Sequence, residues 1–491
     1  DDLFANLAPG TGSVTLTVSN GLLIDTAGLL NALDRYPYGC SEQIVSRALP
    51  LLYLNQVAGR VGIGADGDIR GRVETAILKV LQRQGANGSI GLWRPGGEDL
   101  WLDAYVADFL TRAREVGYKV PGGAFTQLLD RLENSLTFAG DVPAAGREIA
   151  YALYVLARNS RASIGDLRYF VDTRLGEFSS PLAKAQLGGA LAIYGDSLRA
   201  DKAFSAAFNG AKQQVVSTTG RYDFGSRLRD GAAVLALATE GAGSSAPRAD
   251  LIKLVEEHRA GARARATSTQ ENAWMLLAVN AANRADDQLS LTFNGVDLSG
   301  KFSRRFTALD LSAPATIVNR SQTPTRAVVT VRGVPASPEP AMANGFSLSR
   351  QYFSMDGTPV NPAEVGQNER LVVVLEAVVQ DPRATNPIIV DLLPAGFEID
   401  NPRLVRGGET GEISWLGEMT DPDHTEFRDD RFVAAYTDTK TGDKLKAAYV
   451  VRAVSPGRFV QPPAVVEDMY VTELRARTDL GRVTVVGPRA R

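Results

Sequence analysis

A single strand-like stretch stands ahead of a long helical one, and that order constrains the fold more than any other feature. Residues 13–18, SVTLTV, alternate polar and apolar side chains, as a half-buried strand does. One strand alone is not stable in water, so its partners must lie elsewhere in the chain. From about residue 25 to 285 the period becomes helical. Ala- and Leu-rich runs recur: WLDAYVADFLTRAREVG (101–117), REIAYALYVLARNS (147–160), PLAKAQLGGALAIYG (181–195), RDGAAVLALATE (229–240) and TQENAWMLLAVNAAN (269–283). Their apolar residues fall at i, i+3, i+4 and i+7 and share one face. The centres lie roughly 35–47 residues apart, the period of a helix-pair repeat whose units bury their faces only against one another. The expected form is a helical array, open or closed into a ring.

The helical period stops near residue 286. LSLTFNGVDL (289–298) reads as a hairpin turning at Asn294 and Gly295, and RAVVTVRGV (326–334) as a further strand. ASPEPA (336–341) reads as a linker. Beyond it, RLVVVLEAVV (370–379), NPIIVDLLPAGFEI (386–399), KAAYVVRAV (446–454) and GRVTVV (481–486) space strands and Pro/Gly turns as an antiparallel sandwich does. The early strand then finds its partners after the helices. Residues 1–24 and 286–337 are expected to share one sandwich, residues 25–285 to be a helical domain inserted into it, and residues 338–491 to form a second sandwich. A chain of 491 residues is too long for one core, which agrees with this division.

Composition narrows the function. The net charge is -3 with both signs interspersed, which leaves no basic stripe for nucleic acid. No apolar stretch approaches the ~18 residues of a membrane span. The first residues, DDLFANLAPGTGSV, lack the basic start and apolar run of a signal peptide and lack an initiator Met, so the chain is expected to be a piece of something longer. There is one cysteine, so no internal disulfide forms, and only two histidines, His258 and His424. His258 beside two glutamates reads as a solvated helix-end residue and His424 as a polar-loop residue. The acidic stretch EMTDPDHTEFRDD (418–430) lacks the ligand spacing of a calcium loop and reads as a solvated loop. No metal, phosphate-loop or serine-elbow motif occurs, and no cofactor is expected.

The single cysteine sits in YPYGCSEQ (36–43). Cys40 and Gln43, three apart near a helix start, lie on the same side of the turn. The Cys40 thiolate can attack the Gln43 carboxamide and expel ammonia, leaving an intramolecular thioester that reacts readily with amines. Gly39 is expected to supply backbone freedom, Pro37 to stiffen the approach, and Glu42 to orient the amide or cap the helix. The plain alternative for Cys40 is a buried structural thiol.

The motif YGC-x-EQ resembles that of the α2-macroglobulin and complement superfamily of thioester proteins. The longer string LLNALDRYPYGCSEQIVSRALPLLYLNQ (29–56) is similar to the bacterial α2-macroglobulins, as are NGSIGLW (87–93), WLDAYVADFL (101–110) and TQENAWML (269–276). The resemblance spans the whole chain but only the last part of such a protein. It implies a multidomain α + β architecture: an α/α toroid thioester domain inserted in a CUB-like β-sandwich, followed by a macroglobulin-like (MG10, receptor-binding-like) antiparallel sandwich. It implies a lid over the bond, made of Tyr36, four residues before Cys40, and of Met469 and Tyr470 in PPAVVEDMYVTELRART (462–478). Their bland readings are a staple on the first helical turn for Tyr36 and ordinary packing for the other two. The catalytic histidine of some complement relatives has no counterpart, since no His precedes His258. Direct attack by lysine amines is therefore expected.

By the same resemblance the protein is a single-use protease inhibitor rather than an enzyme. Target proteases are held covalently through lysine after an upstream bait is cut. The family also implies a monomer in the periplasm, tied to the inner membrane only through an N-terminal lipid anchor outside this chain. Some members are paired with a penicillin-binding protein, so such a partner is expected here too. Two other classes stay open: a covalent adhesion or surface-tagging module, and a non-covalent scaffold if Cys40 carries no thioester. A terpene-cyclase-like enzyme on the same toroid would need Asp-rich metal motifs, and none is seen.

Overall fold

The computed structural model describes residues 3–487 apart from 20, 35, 37, 54–67, 242–246, 262–265, 283–288, 301, 308, 311–313, 323–324 and 401–412. The chain divides into two compact units, one of Asp1–Val216 with Tyr222–Val334, the other of Ser217–Arg221 with Pro335–Arg491. The cut at Val334 and Pro335 falls just before the boundary expected at 337. The boundary expected at 285 lies outside the described residues.

In the first unit the early strand, β1 (Ser13–Ser19), pairs antiparallel with β4 (Phe302–Thr307) on one side and β6 (Arg326–Arg332) on the other. The hairpin of β2 (Ser290–Phe293) and β3 (Val296–Ser299) makes a second sheet with β5 (Ile317–Asn319). Asn294 (φ 47°) and Gly295 (φ 83°) both take positive φ at its turn, the backbone a two-residue hairpin needs. Val18, Leu291, Phe293, Phe302 and Phe306 fill one core shared by the two sheets.

Between these strands run α1 (Thr26–Asp34), α2 (Ser41–Ala48), α3 (Asp68–Leu81), α4 (Leu100–Glu115), α5 (Gly122–Thr137), α6 (Val142–Arg158), α7 (Ile164–Tyr169), α8 (Pro181–Ile193), α9 (Ser197–Gln213), α10 (Arg227–Glu240), α11 (Arg248–Gly261) and α12 (Thr269–Ala282). Helices α2, α4, α6, α8, α10 and α12 pack each on the next, and α12 packs back on α2. The ring is therefore closed, with α1, α3, α5, α9 and α11 outside it. The sequence explains the two layers. Inner helices are buried on nearly every side, as in α4 from Trp101 to Ala113, where the apolar majority encloses charged side chains only as partners, Arg112 on Asp108 at 2.8 Å among them. Outer helices bury one stripe, such as Phe125, Leu128, Leu129 and Leu132 of α5. Each outer helix returns the chain, so the inner helices run in one direction. Their N-caps, Cys40, Asp99, Asp141, Ser180 and Ser226, gather at one end of the ring.

The second unit is a sandwich. One sheet has the order β12-β15-β10-β8 and comprises β8 (Phe346–Phe353), β10 (Arg370–Val379), β12 (Phe397–Ile399) and β15 (Lys444–Ala453). The other has the order β13-β14-β11-β17-β18-β7 and comprises β7 (Met342–Asn344), β11 (Pro387–Leu392), β13 (His424–Arg428), β14 (Arg431–Ala435), β17 (Ala464–Asp468) and β18 (Arg475–Arg477). On β10, Leu371, Val373 and Leu375 face the main core, while Val372 and Val374 pack with Ile413 and Leu416 on the other side. Burial on both faces is why this strand is apolar without alternation.

Both sheets of the sandwich are antiparallel throughout, and a separate three-stranded sheet pairs β19 (Gly481–Val486) parallel with β9 (Glu364–Gly366) and antiparallel with β16 (Gly457–Gln461). One expectation needs correction: the acidic stretch 418–430 is not wholly loop, because His424–Arg428 forms an edge strand on β14.

Candidate functional site

Helix α2 begins at Cys40, which has the extended backbone of an N-cap (φ -65°, ψ 166°). Its Sγ accepts from the Gln43 N–H at 3.4 Å, and the Cys40 N–H donates to Gln43 Oε1 at 3.1 Å. This is a capping box with a thiol in place of the usual hydroxyl. Both side chains turn back over the same helix end, and residues 40–43 are all fully buried. A thiol and a carboxamide are thus held together out of water.

The approach to Cys40 is held by Arg83. Its Nη2 donates to the Gly39 carbonyl at 2.6 Å, and its Nη1 to the Leu92 carbonyl at 2.9 Å and to Ser41 Oγ at 3.2 Å. Ser41 adds two bonds to the same loop, N–H to the Leu92 carbonyl at 2.8 Å and Oγ to the Gly91 carbonyl at 2.6 Å. The loop turns so tightly that a Cβ on Gly91 would lie 1.7 Å from the Arg94 carbonyl oxygen. It is tied to α4 through Asp103, whose Oδ1 accepts from the Ile90 N–H at 2.6 Å. Burial pushes the Asp103 carboxyl up to about 7, and that of Asp99, the α4 N-cap, up to about 6. Gly39 itself is not demanded by sterics: its φ is not positive, and an added Cβ would meet nothing within 4 Å. Pro37 lies outside the described residues.

Glu42 neither caps the helix, which Cys40 and Gln43 do, nor faces solvent. Its carboxylate accepts from Thr269 Oγ1 at 2.9 and 3.1 Å, from Gln270 Nε2 at 2.8 Å, and from Ser46 Oγ. The Ser46 hydroxyl proton goes to Glu42, so Tyr105 donates its own to Ser46 Oγ at 2.8 Å. Burial, and then the Glu42 charge, push the Tyr105 phenol up. This buried network stitches α2, the first inner helix, to α12, the last, and to α4.

Tyr36 is half-buried beside the site. Its carbonyl accepts from Arg47 Nη1 at 3.1 Å, and its ring meets Tyr38 edge-on at 5.2 Å. Met469 and Tyr470 belong to the second unit, in the excursion between β17 and β18, and both are buried. The base of that excursion is closed by the Asp468 N–H on the Leu474 carbonyl at 3.0 Å. The Asp468 carboxylate spans it: Oδ1 accepts from the Tyr470 and Val471 N–H groups at 2.9 and 2.8 Å, and Oδ2 from the Asn386 N–H at 2.8 Å. Burial pushes the Asp468 carboxyl up, and these N–H groups oppose the shift.

Neither histidine behaves as read from sequence. His258 is half-buried rather than solvated, with Nδ1 3.0 Å from the Arg227 carbonyl and Nε2 3.2 Å from Arg227 Nη2. Burial and that guanidinium pull its imidazole down. His424 opens strand β13 and lies 3.2 Å from Glu426. Among the described residues no group of three His, Cys, Asp or Glu side chains is placed to hold a metal. Arg83 carried no signal of its own in the sequence. Thr269 and Gln270 were marked only by standing in TQENAWML, and Asp468 only by standing beside Met469 and Tyr470 in the stretch 462–478.

The fold and site can be set beside known proteins. The bacterial alpha-2-macroglobulin MG10 domain family matches residues 345–473. Over 99% of this chain the alpha-2-macroglobulin of Escherichia coli K12 is 31% identical, and that of Xylella fastidiosa Temecula1 is 30% identical. The chain spans 31% of the length of each. Native E. coli alpha-2-macroglobulin, in a crystal structure from domain MG7 to the C-terminus, superimposes with a TM-score of 0.85 at 29% identity, over 98% of this chain and 78% of that one. Salmonella alpha-2-macroglobulin reacted with methylamine superimposes with a TM-score of 0.84 at 32% identity, over 98% of this chain and 32% of that one.

Proposed function

This chain belongs to the bacterial α2-macroglobulin family, and from that premise we propose that it carries the reactive end of a single-use protease trap. The observation that carries the reading is the buried capping box of Cys40 and Gln43. In the first step the Cys40 thiolate adds to the Gln43 carboxamide carbon. The C–S bond forms, the C–N bond breaks, and ammonia leaves with the proton it needs from solvent. In the second, a neutral lysine amine of a captured protease attacks the same carbon. An isopeptide bond forms, the C–S bond breaks, and Cys40 takes the proton the nitrogen gives up. The bond is consumed once, so nothing turns over.

Several features support this chemistry. A thioester survives only where water is excluded, and residues 40–43 are buried. The Salmonella relative has been captured after reaction with methylamine, a small amine. Both ring nitrogens of His258 lie against Arg227, which favours direct amine attack over a histidine relay. In this proposal Tyr36, Met469 and Tyr470 form the lid, withdrawn when a protease cuts a bait elsewhere in the protein. Residence in the periplasm through a lipid anchor, a monomeric state and pairing with a penicillin-binding protein extend the proposal on resemblance alone.

Intact-mass measurement tests it. Freshly purified protein is expected to be lighter by one ammonia, and methylamine should add its own mass and release one titratable thiol. Untreated protein with a titratable thiol and an unmodified Gln43 amide overturns it.

A further inference from the structure

We infer that Asp468 is a positioning residue for the lid, fixing Met469 and Tyr470 in the covering conformation by clamping their turn to the segment before β11. The inference rests on the lid reading above and deepens it. Met469 and Tyr470 sit on a six-residue excursion, 469–474, where the chain has left β17 and not yet entered β18. Such a segment has no sheet ladder of its own, so its conformation depends on what binds its backbone. The Met469 N–H still reaches the Asn386 carbonyl at 3.1 Å, one step past the β11–β17 ladder. The next two N–H groups, of Tyr470 and Val471, both turn inward onto Asp468 Oδ1. The other oxygen, Oδ2, takes the Asn386 N–H from across the sheet edge.

The two oxygens therefore do different work. Oδ1 shapes the turn, and Oδ2 anchors it to the neighbouring segment. A second tie lies further along: Arg383 pairs with Glu473 at 3.2 Å and with Asp381 at 2.9 Å. That pair is partly exposed and solvent-screened, whereas the Asp468 carboxylate is wholly buried. Charge-assisted bonds to a buried carboxylate are the stronger kind, so Asp468 dominates the placement.

Asparagine at this position separates the two functions. It keeps an oxygen for the Tyr470 and Val471 N–H groups but sets an NH2 donor against the Asn386 N–H. The test is thiol release by methylamine in the full protein, well below the melting temperature, for wild type, Asp468→Asn, Asp468→Ala and the double variant Met469→Ala/Tyr470→Ala. Expected is release about tenfold faster in Asp468→Asn and faster again in Asp468→Ala, the scale set by losing one and then all of the bonds to a charged acceptor. A purely structural Asp468 would lower the melting temperature and leave the low-temperature release rate unchanged.

If the double variant reacts fast and Asp468→Asn reacts at the wild-type rate, the clamp is overturned and the lid stands. If the double variant also reacts at the wild-type rate, the lid reading fails and this inference with it. Hydrogen exchange on wild-type protein gives a second readout that no folding defect can obscure. The Tyr470 and Val471 amides should be protected like those of β17, and rapid exchange there overturns the clamp.

Discussion

Replacing Glu42 by alanine should unfasten the ring where its first and last inner helices meet. The Glu42 carboxylate takes donors from Ser46, Thr269 and Gln270, all buried, and two of the three lie on α12. Each bond to a charged acceptor is worth about 1.5–3 kcal/mol, but bonds sharing one acceptor do not add in full. Removing Glu42 leaves three neutral buried donors without their acceptor, at about 1–3 kcal/mol each and less than additive. Glu42→Ala is therefore expected to destabilise the ring by about 4 kcal/mol. Glu42→Gln keeps the shape and one acceptor oxygen and should cost about 2 kcal/mol. At ~2–4 °C per kcal/mol for a domain of this size, the alanine variant should melt roughly 10 °C lower. The assays are thermal unfolding and hydrogen exchange of α2 and α12, which should lose protection together while α8, on the far side of the ring, keeps it. A melting temperature within a degree or so of wild type, or α2 and α12 exchanging independently, would refute the view that Glu42 closes the ring.

Three further outcomes follow from the same geometry. Arg83→Lys puts a point charge where a planar fork served the Gly39 and Leu92 carbonyls and Ser41, so mass spectrometry should show a smaller fraction of chains lacking ammonia. Gly91→Ala drives a methyl into the Arg94 carbonyl and should reduce that fraction further, with soluble protein still recovered. Asp103 and Asp99 have folded-state pKa values above their unfolded ones. Their stabilising contribution is full below about pH 4 and lost as pH rises through about 6 to 7. Melting temperature should therefore fall between about pH 4 and pH 7, and Asp103→Asn should flatten that slope.

Much of the architecture was legible because burial leaves a period behind. SVTLTV alternates, so it had to be a strand, and its lack of a neighbouring strand forced a partner beyond the helices. The inner helices announced themselves as apolar runs at a steady interval. The outer helix α9 was harder to see, since Ala200, Ala203, Ala207 and Ala211 make a faint stripe. The Cys40 and Gln43 contact follows from a three-residue spacing and was visible for that reason. Glu42 was not, because its partners on α12 lie 227 and 228 positions away and only ring closure brings them near. Asp468, the last residue of β17, and Arg83, in a turn, were missed on similar grounds: a charged residue at such a place reads as solvated until its backbone partners are known. His258 misled because the two glutamates beside it in sequence are not what its ring faces.

Ring closure also sets a timetable for biosynthesis. Glu42 leaves the ribosome long before Thr269, and at ~5–20 residues per second the lag is about 10–45 s. Until α12 emerges, the nascent segment around Cys40 lacks the last wall of its housing. Under the proposed thioester chemistry, ammonia loss is expected only after α12 has emerged, and chains truncated before Thr269 should not show it.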